Sequence, residues 1–233
     1  MEAAANSHLL VAHGICRTFR TSEGPLEVLR GVDLHMEAGD MVAVVGESGV
    51  GKSTLLHILG GLDRPSAGAV EVKGELFEGK SESELAQFRN RNIGFVFQHH
   101  YLMEDFNALE NVMMPGLIAG KSKADASGAA EQLLREVGLE NRTSHRPRQL
   151  SGGEQQRVAV ARALVNSPGI VMADEPSGNL DIKTGERLHD LLDSLNISHR
   201  ITFLIATHNL DLAKKCRKVV KLKNGLVDEV IED

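Results

Sequence analysis

Gly46-Glu47-Ser48-Gly49-Val50-Gly51-Lys52-Ser53-Thr54 decides how the rest of the chain is read. It fits the pattern G-x-x-x-x-G-K-[ST]. Before it, Met41 to Val45 is an apolar run of strand length; after it, Leu55, Leu56, Ile58, Leu59 and Leu62 keep helical spacing. A strand, a glycine-rich loop and a helix together make a phosphate cradle. Glycines let the backbone turn tightly and bring its N–H groups up to phosphate oxygens, and the helix adds the positive end of its dipole. Lys52 is placed to reach the β and γ phosphates of a nucleoside triphosphate, and the Ser53 hydroxyl to ligate Mg²⁺. Gly46, Ser48, Gly49, Gly51, Lys52, Ser53 and Thr54 are the candidate contacts.

Outward from the loop, strand and helix signals alternate. Towards the beginning, Leu9 to Glu37 reads as strand and turn, with the turn around Glu23-Gly24-Pro25. Pro65-Ser66-Ala67-Gly68 then marks a turn before Ala69-Val70-Glu71-Val72. These segments predict a small antiparallel sheet flanking the nucleotide, and residues 1 to 8 are expected to be disordered. Ile93 to Phe97, Ile170 to Ala173 and Ile201 to Ala206 read as buried strands. Strands of this kind separated by helical patterns predict a parallel sheet covered on both faces. Between them, Leu109, Val112 and Met113 keep helical spacing before Pro115 and Gly116, which are expected to break the helix. Ala126 to Val137 is an amphipathic helix closed by Gly138. Leu188, Leu191, Leu192 and Leu195 form another stripe, and Asn224-Gly225 predicts a hairpin near the end.

The expected fold is α/β, with a parallel sheet core, an antiparallel β subdomain and an inserted α-helical subdomain; with its phosphate loop this layout resembles a P-loop NTPase with a RecA-like parallel sheet core. The core comprises 9–98 and 151–233, and the insertion 99–150. The 233 residues suffice for one large domain of this kind. With 26 Lys+Arg against 32 Asp+Glu the net charge is -6, which disfavours nucleic acid as a partner. Cys16 and Cys216 are far apart with no ligand cluster, as for reduced thiols of a cytosolic protein. No apolar run approaches the ~18 residues of a membrane span, so a role at a membrane requires another chain to cross it.

Two further stretches carry chemistry. Ile170 to Ala173 leads into Asp174-Glu175, so a buried strand delivers one carboxylate for the metal and a second to polarise an attacking water. In Leu150-Ser151-Gly152-Gly153-Glu154-Gln155-Gln156-Arg157, Ser151 and Glu154 form a capping box. Gly152 and Gly153 weaken a helix, yet they leave backbone N–H groups open at its positive end, which reads as a second anion site.

Leu150 to Gln155 resembles the signature of ABC-type ATPases, and the resemblance extends over nearly the whole chain. It implies ATP and Mg²⁺ as ligands and a head-to-tail homodimer, in which Ser151, Gly153 and Gln155 of one copy close on the γ phosphate held by the other. Gln98 resembles the glutamine that reaches metal and water, and His208, in Ala206-Thr207-His208-Asn209, the histidine that contacts the γ phosphate. Ser177-Gly178-Asn179-Leu180-Asp181 resembles the loop that crosses the dimer, although Asp181 also suits a plain helix cap. Phe19 stands where an aromatic residue, usually Tyr, stacks on adenine; a core position is the other reading. Glu47 departs from the Pro common at that place and removes no ligand. The resemblance thus implies Glu175, His208 and Lys52 as catalytic groups, and Ser53, Gln98 and Asp174 as metal ligands.

Phe97 to Pro115 is similar to the corresponding segment in the lipoprotein-releasing branch of the family, within a wider group that includes MacB-type exporters and FtsE. That branch implies LolC- and LolE-like transmembrane subunits as partners, contacted through Gln98 to Met114, and a peripheral position on the cytoplasmic face of the bacterial inner membrane. Met103, Met113 and Met114 suit a surface that grips a partner helix, with Tyr101 to Phe106 the preferred contact; the same residues could also pack the insertion's own core. A GTPase would need an Asn-Lys-x-Asp reader that is absent here. A DNA-repair ATPase with this signature would need a long coiled coil between Gln98 and Ser151.

Overall fold

The computed structural model describes residues 8–232, so the expectation of disorder for residues 1 to 8 falls outside it except at His8. Within it β1 (His8–Thr21) and β2 (Gly24–Glu37) form a long hairpin, followed by β3 (Met41–Val45), α1 (Lys52–Leu59), β4 (Ala67–Val72), β5 (Glu75–Leu76) and α2 (Glu82–Asn92). Next come β6 (Ile93–Phe97), α3 (Ala108–Ile118), α4 (Lys123–Glu136), α5 (Gly152–Leu164), β7 (Ile170–Asp174) and α6 (Ile182–His199). The chain closes with β8 (Thr202–Ala206), α7 (Leu210–Ala213), β9 (Lys218–Lys223) and β10 (Leu226–Glu232). Contacts divide these into two compact units, one of residues up to Leu85 plus Thr202 onward, the other of Ala86–Ile201.

In the first unit, β2-β1-β4-β5 is the antiparallel sheet expected from the sequence. In β2, Val32, Leu34 and Met36 are buried while Asp33, His35 and Glu37 are exposed, the alternation of a half-buried sheet. The strand β3 lies between β8 and β9, parallel to both, with Val44 opposite Ala206 and Val42 opposite Lys218. Burial from Met41 to Val44 and throughout β8 explains why both read as unbroken apolar runs. Asn224 and Gly225, with φ 52 and 76, turn β9 into β10 as the Asn-Gly signal predicts. Leu62 lies beyond the end of α1 and is 45% exposed, so it does not extend that helix's apolar face.

In the second unit, β6 and β7 run parallel with Phe97 opposite Asp174. The helix α4 buries Ala126, Ala130 and Leu134, and Gly138 follows its end with φ 71, as expected. One expectation fails: Pro115 and Gly116 do not break α3, which continues to Ile118. The proline forfeits one N–H bond, but its carbonyl accepts from the Asn90 and Asn166 amides at 3.1 and 3.0 Å, and Gly116 is buried in front of Ala126. Tertiary bonding outweighs the local penalty near the helix end. No helix among the described residues is long and apolar enough to cross a membrane.

Candidate nucleotide site

Sheet register gathers the site residues of the first unit. Because β3 and β8 are parallel neighbours, the glycine-rich loop and His208 leave the sheet at the same end. Thr207 donates its N–H to the Val44 carbonyl at 3.0 Å, and its hydroxyl takes the Asn209 N–H at 3.0 Å, so the exposed His208 is held between two fixed residues. Gly46 has φ 155, and a Cβ there would lie 2.5 Å from the Leu222 carbonyl oxygen; Gly51 is left-handed with φ 109 and starts α1. Neither position accepts a side chain without strain. The Lys52 side chain is buried and folds back over the loop, its Nζ donating to the carbonyls of Gly46 at 2.9 Å and Glu47 at 3.1 Å. Its ammonium thus rests on the loop's own carbonyls, beside the glycine-rich turn where a phosphate chain would be met. Ser53 is exposed and Thr54 half-buried in the first turn of α1, while Ser48 and Gly49 are exposed in the loop. Phe19 is half-buried and not a core residue; the Arg17 guanidinium stands 4.5 Å from its ring centre, a cation–π contact that already occupies a face.

In the second unit, the register of β6 on β7 brings Gln98 beside Asp174 and Glu175 at the carboxyl ends of the strands. Both carboxylates are half-exposed, and Glu175 takes a left-handed φ of 45. The Gln98 Nε2 donates to Asn179 Oδ1 at 2.9 Å, while Asn179 Nδ2 donates to the Gln98 carbonyl at 3.1 Å. Asp181 is the N-cap of α6 and accepts from the Thr184 N–H at 3.1 Å; bonding to the Thr184 side chain and then its N–H lowers the carboxyl pKa. The capping function of Asp181 is therefore real, whatever else it does.

Ser151 caps α5 as the sequence predicts. Glu154 takes the Ser151 N–H at 2.8 Å and hydroxyl at 2.9 Å and pairs with Arg142 at 2.9 Å. These contacts, the Ser151 N–H above all, bring its pKa down to about 2 against the opposing effect of burial. Ser151 and Gly152 are exposed, but Gly153 is buried, and a Cβ on it would collide with Cγ2 of Thr184. Close packing of α5 on α6 is thus a second reason for glycine there. The N–H groups of Gly152 and Gly153 lie in the first turn, where no intrahelical acceptor exists. Gln155 Nε2 is spent on the carbonyls of Pro147 and Leu150, at 3.0 and 3.1 Å, and shapes the approach to Ser151.

Three polar residues not singled out in the sequence build the segment after Gln98. Arg162 donates to the carbonyls of Tyr101 at 2.6 Å and His100 at 2.7 Å, and burial lowers its pKa although the guanidinium stays charged. The fully buried Gln156 bonds the Phe97 carbonyl at 3.2 Å and the His100 ring. Asn111, also fully buried, donates to the carbonyls of Met103, Phe106 and Asn107 and accepts the Met103 N–H at 2.8 Å. The only hint in sequence is polarity on the apolar faces of α3 and α5. Met113 is buried in the core, whereas Tyr101 is 67% exposed and Leu102, Met103, Phe106 and Met114 are partly so. The Ser53 hydroxyl, Asp174 carboxylate and Gln98 amide oxygen are hard oxygen donors of the kind Mg²⁺ takes alongside substrate phosphates.

A family model described as ABC transporter matches residues 29–178. The chain is 51% identical over 219 residues, 94% of its length and 96% of the relative's, to "Lipoprotein-releasing system ATP-binding protein LolD" of Idiomarina loihiensis. It is 49% identical over 221 residues, 95% and 98% of the two lengths, to the protein of that name from Geobacter metallireducens. Among solved structures it resembles the dimeric structure of MJ0796, described as a bacterial ABC transporter cassette, with TM-score 0.89 and 37% identity over 96% of this chain and 98% of that one. A dimeric post-hydrolysis state of the same cassette bound to ADP and Pi gives TM-score 0.88 at 36% identity, again over 96% and 98%.

Proposed function

The chain belongs to the ABC transporter family as an ATP-hydrolysing cassette, and we propose that it drives release of lipoproteins from the bacterial inner membrane as two copies closing head to tail on ATP. The observation that supports this most is identity near one half along almost the entire chain to proteins named for lipoprotein release. In this reading Lys52 meets the β and γ phosphates with the N–H groups of the loop from Gly46 to Thr54. Ser53, Gln98 and Asp174 offer oxygens to Mg²⁺, which when bound would neutralise phosphate charge. Glu175 polarises the attacking water, and His208 contacts the γ phosphate. Ser151 and Gly153 of the second copy present the positive end of α5 to that phosphate, and Gln155 holds the loop that aims them. Asp181 fixes the start of α6 and the turn that crosses between copies, and Phe19 offers its remaining ring face to adenine.

Closure is favoured because the γ phosphate gives both surfaces one charge to bind, and hydrolysis removes that bridge. Motion passes from Gln98 into Tyr101 to Phe106, the partly exposed segment that Arg162, Gln156 and Asn111 hold in shape. This segment is the contact for LolC- and LolE-like membrane subunits, which puts the cassette on the cytoplasmic face as a peripheral protein. Purification of the tagged chain from native membranes tests the assignment. Two co-purifying membrane subunits of the LolC and LolE type are expected; recovery of a MacB-like single-chain permease or an FtsX-like subunit would move the chain to that branch.

A further inference from the structure

We propose that Asn179 is a positioning residue for ATP hydrolysis, whose carboxamide sets the amide orientation of Gln98 so that Oε1, not Nε2, is presented to metal and water; this rests on the reading of Gln98 given above. One atom of this contact has a fixed role. The backbone carbonyl of Gln98 can only accept, so the Asn179 group 3.1 Å from it must be the NH₂. The other end of that carboxamide is then Oδ1, an acceptor, and the Gln98 atom 2.9 Å away must be its NH₂. One carbonyl thereby decides two amide orientations in series and leaves Oε1 outside the clamp.

The surrounding backbone is built for this contact. A Cβ on Gly178 would stand 2.9 Å from Gln98 Nε2 and 3.1 Å from its Cδ, so only glycine lets the amide lie so close. The turn carrying Asn179 is itself held: Gly178 donates to the Glu175 carbonyl at 2.9 Å, Leu180 to the Ser177 carbonyl at 3.1 Å, and Ser177 Oγ meets Nε2 of the buried His189 at 2.8 Å. On the other side, Gln156 and Arg162 hold the chain from Phe97 to Tyr101. Asn179 joins these two fixed segments. Without it, the terminal torsion of Gln98 has two nearly equivalent settings, and in one of them NH₂ takes the place of oxygen.

The test uses the full chain as wild type, Asn179→Ala, Gln98→Ala and the double variant. Turnover at saturating ATP is expected to fall roughly fivefold to thirtyfold in Asn179→Ala, the range for loss of one or two hydrogen bonds, with ATP affinity and melting temperature near wild type. Because Asn179 acts through Gln98, the double variant should turn over like Gln98→Ala alone. A readout without nucleotide comes from selective ¹⁵N-glutamine labelling: the side-chain amide pair missing in Gln98→Ala identifies Gln98, and Asn179→Ala should shift that pair and speed its exchange with solvent. An unmoved pair, or losses that multiply in the double variant, would overturn the proposal. Wild-type turnover in Gln98→Ala would overturn it too, by removing the role of Gln98, and would leave the ATPase assignment to stand on Glu175.

Discussion

Glu175 follows a buried strand with a backbone φ of 45, a left-handed setting that a residue with a Cβ adopts at a cost. The turn maintains it, since the Glu175 carbonyl accepts the Gly178 N–H at 2.9 Å. Glu175→Gln keeps the shape and the turn while removing the carboxylate proposed to polarise the attacking water, so nucleotide affinity should hold and turnover should drop about 10²- to 10⁴-fold. Parallel measurements of ATP binding and phosphate release check this, and wild-type hydrolysis would remove Glu175 from its role. At Glu154 the expected effect is on stability. Its pKa of about 2 lies below the ordinary value of 4.5, so the ionised form stabilises the fold above pH 4.5 and that contribution drains as pH falls through about 2. Glutamine keeps the geometry of the capping box but not its charge, so Glu154→Gln should cost about 1 kcal/mol near neutrality, the difference between a charged and a neutral hydrogen bond. Urea titrations should show the gap to wild type narrowing below about pH 4.5, and a gap constant from about pH 7 to about pH 3 would count against the ionised cap.

At the scale of elements, the packing of α5 on α6 separates two reasons for one glycine. A Cβ on Gly153 collides with Thr184 Cγ2, so Gly153→Ala should destabilise the chain by about 1–3 kcal/mol even without nucleotide. Adding Thr184→Ser removes that methyl and should restore the melting temperature; failure to restore it would mean the packing account is wrong. The sequence announces an opening at this helix end, but not the collision, because the residue that demands glycine lies 31 positions further on. The same division runs through the fold. Strands buried on both faces, the Asn-Gly hairpin and the Ser151 cap are local patterns, and each is legible. Pro115 is not, because its acceptance inside α3 depends on Asn90 and Asn166, amides from distant segments. Among site residues, those named by motif can be found from sequence, whereas Asn111, Gln156 and Arg162 act on backbone carbonyls that no motif connects to them.

For the whole molecule, the decisive question is whether one chain's α5 completes another chain's nucleotide site. Ser151 is exposed at that helix end, and the large apolar Ile182 is 85% exposed at the start of α6, a pair of features suited to a surface that is covered only when copies meet. Ser151→Arg should block closure by bulk, but it also deletes the cap that holds the Glu154 N–H, a loss of about 1 kcal/mol. Ser151→Asp isolates the interface effect when Glu154→Gln is added to parent and variant alike. Aspartate accepts the Glu154 N–H as serine does, but it loses the hydroxyl that donates to the Glu154 carboxylate and would set a like charge beside it; with glutamine at 154 the cap is kept, and the new carboxylate is set against the γ phosphate of the other copy. In the Glu175→Gln background with ATP, light scattering should show a dimer for the parent chain and a monomer for both substitutions, with ATP affinity of the monomer unchanged in each. Equal dimerisation of the Ser151→Asp variant and its parent would refute the shared site, because no arrangement that buries α5 against a bound triphosphate tolerates that added charge. Loss of dimer only in the Ser151→Arg variant would assign the effect to bulk and capping, and would leave the phosphate out of the interface.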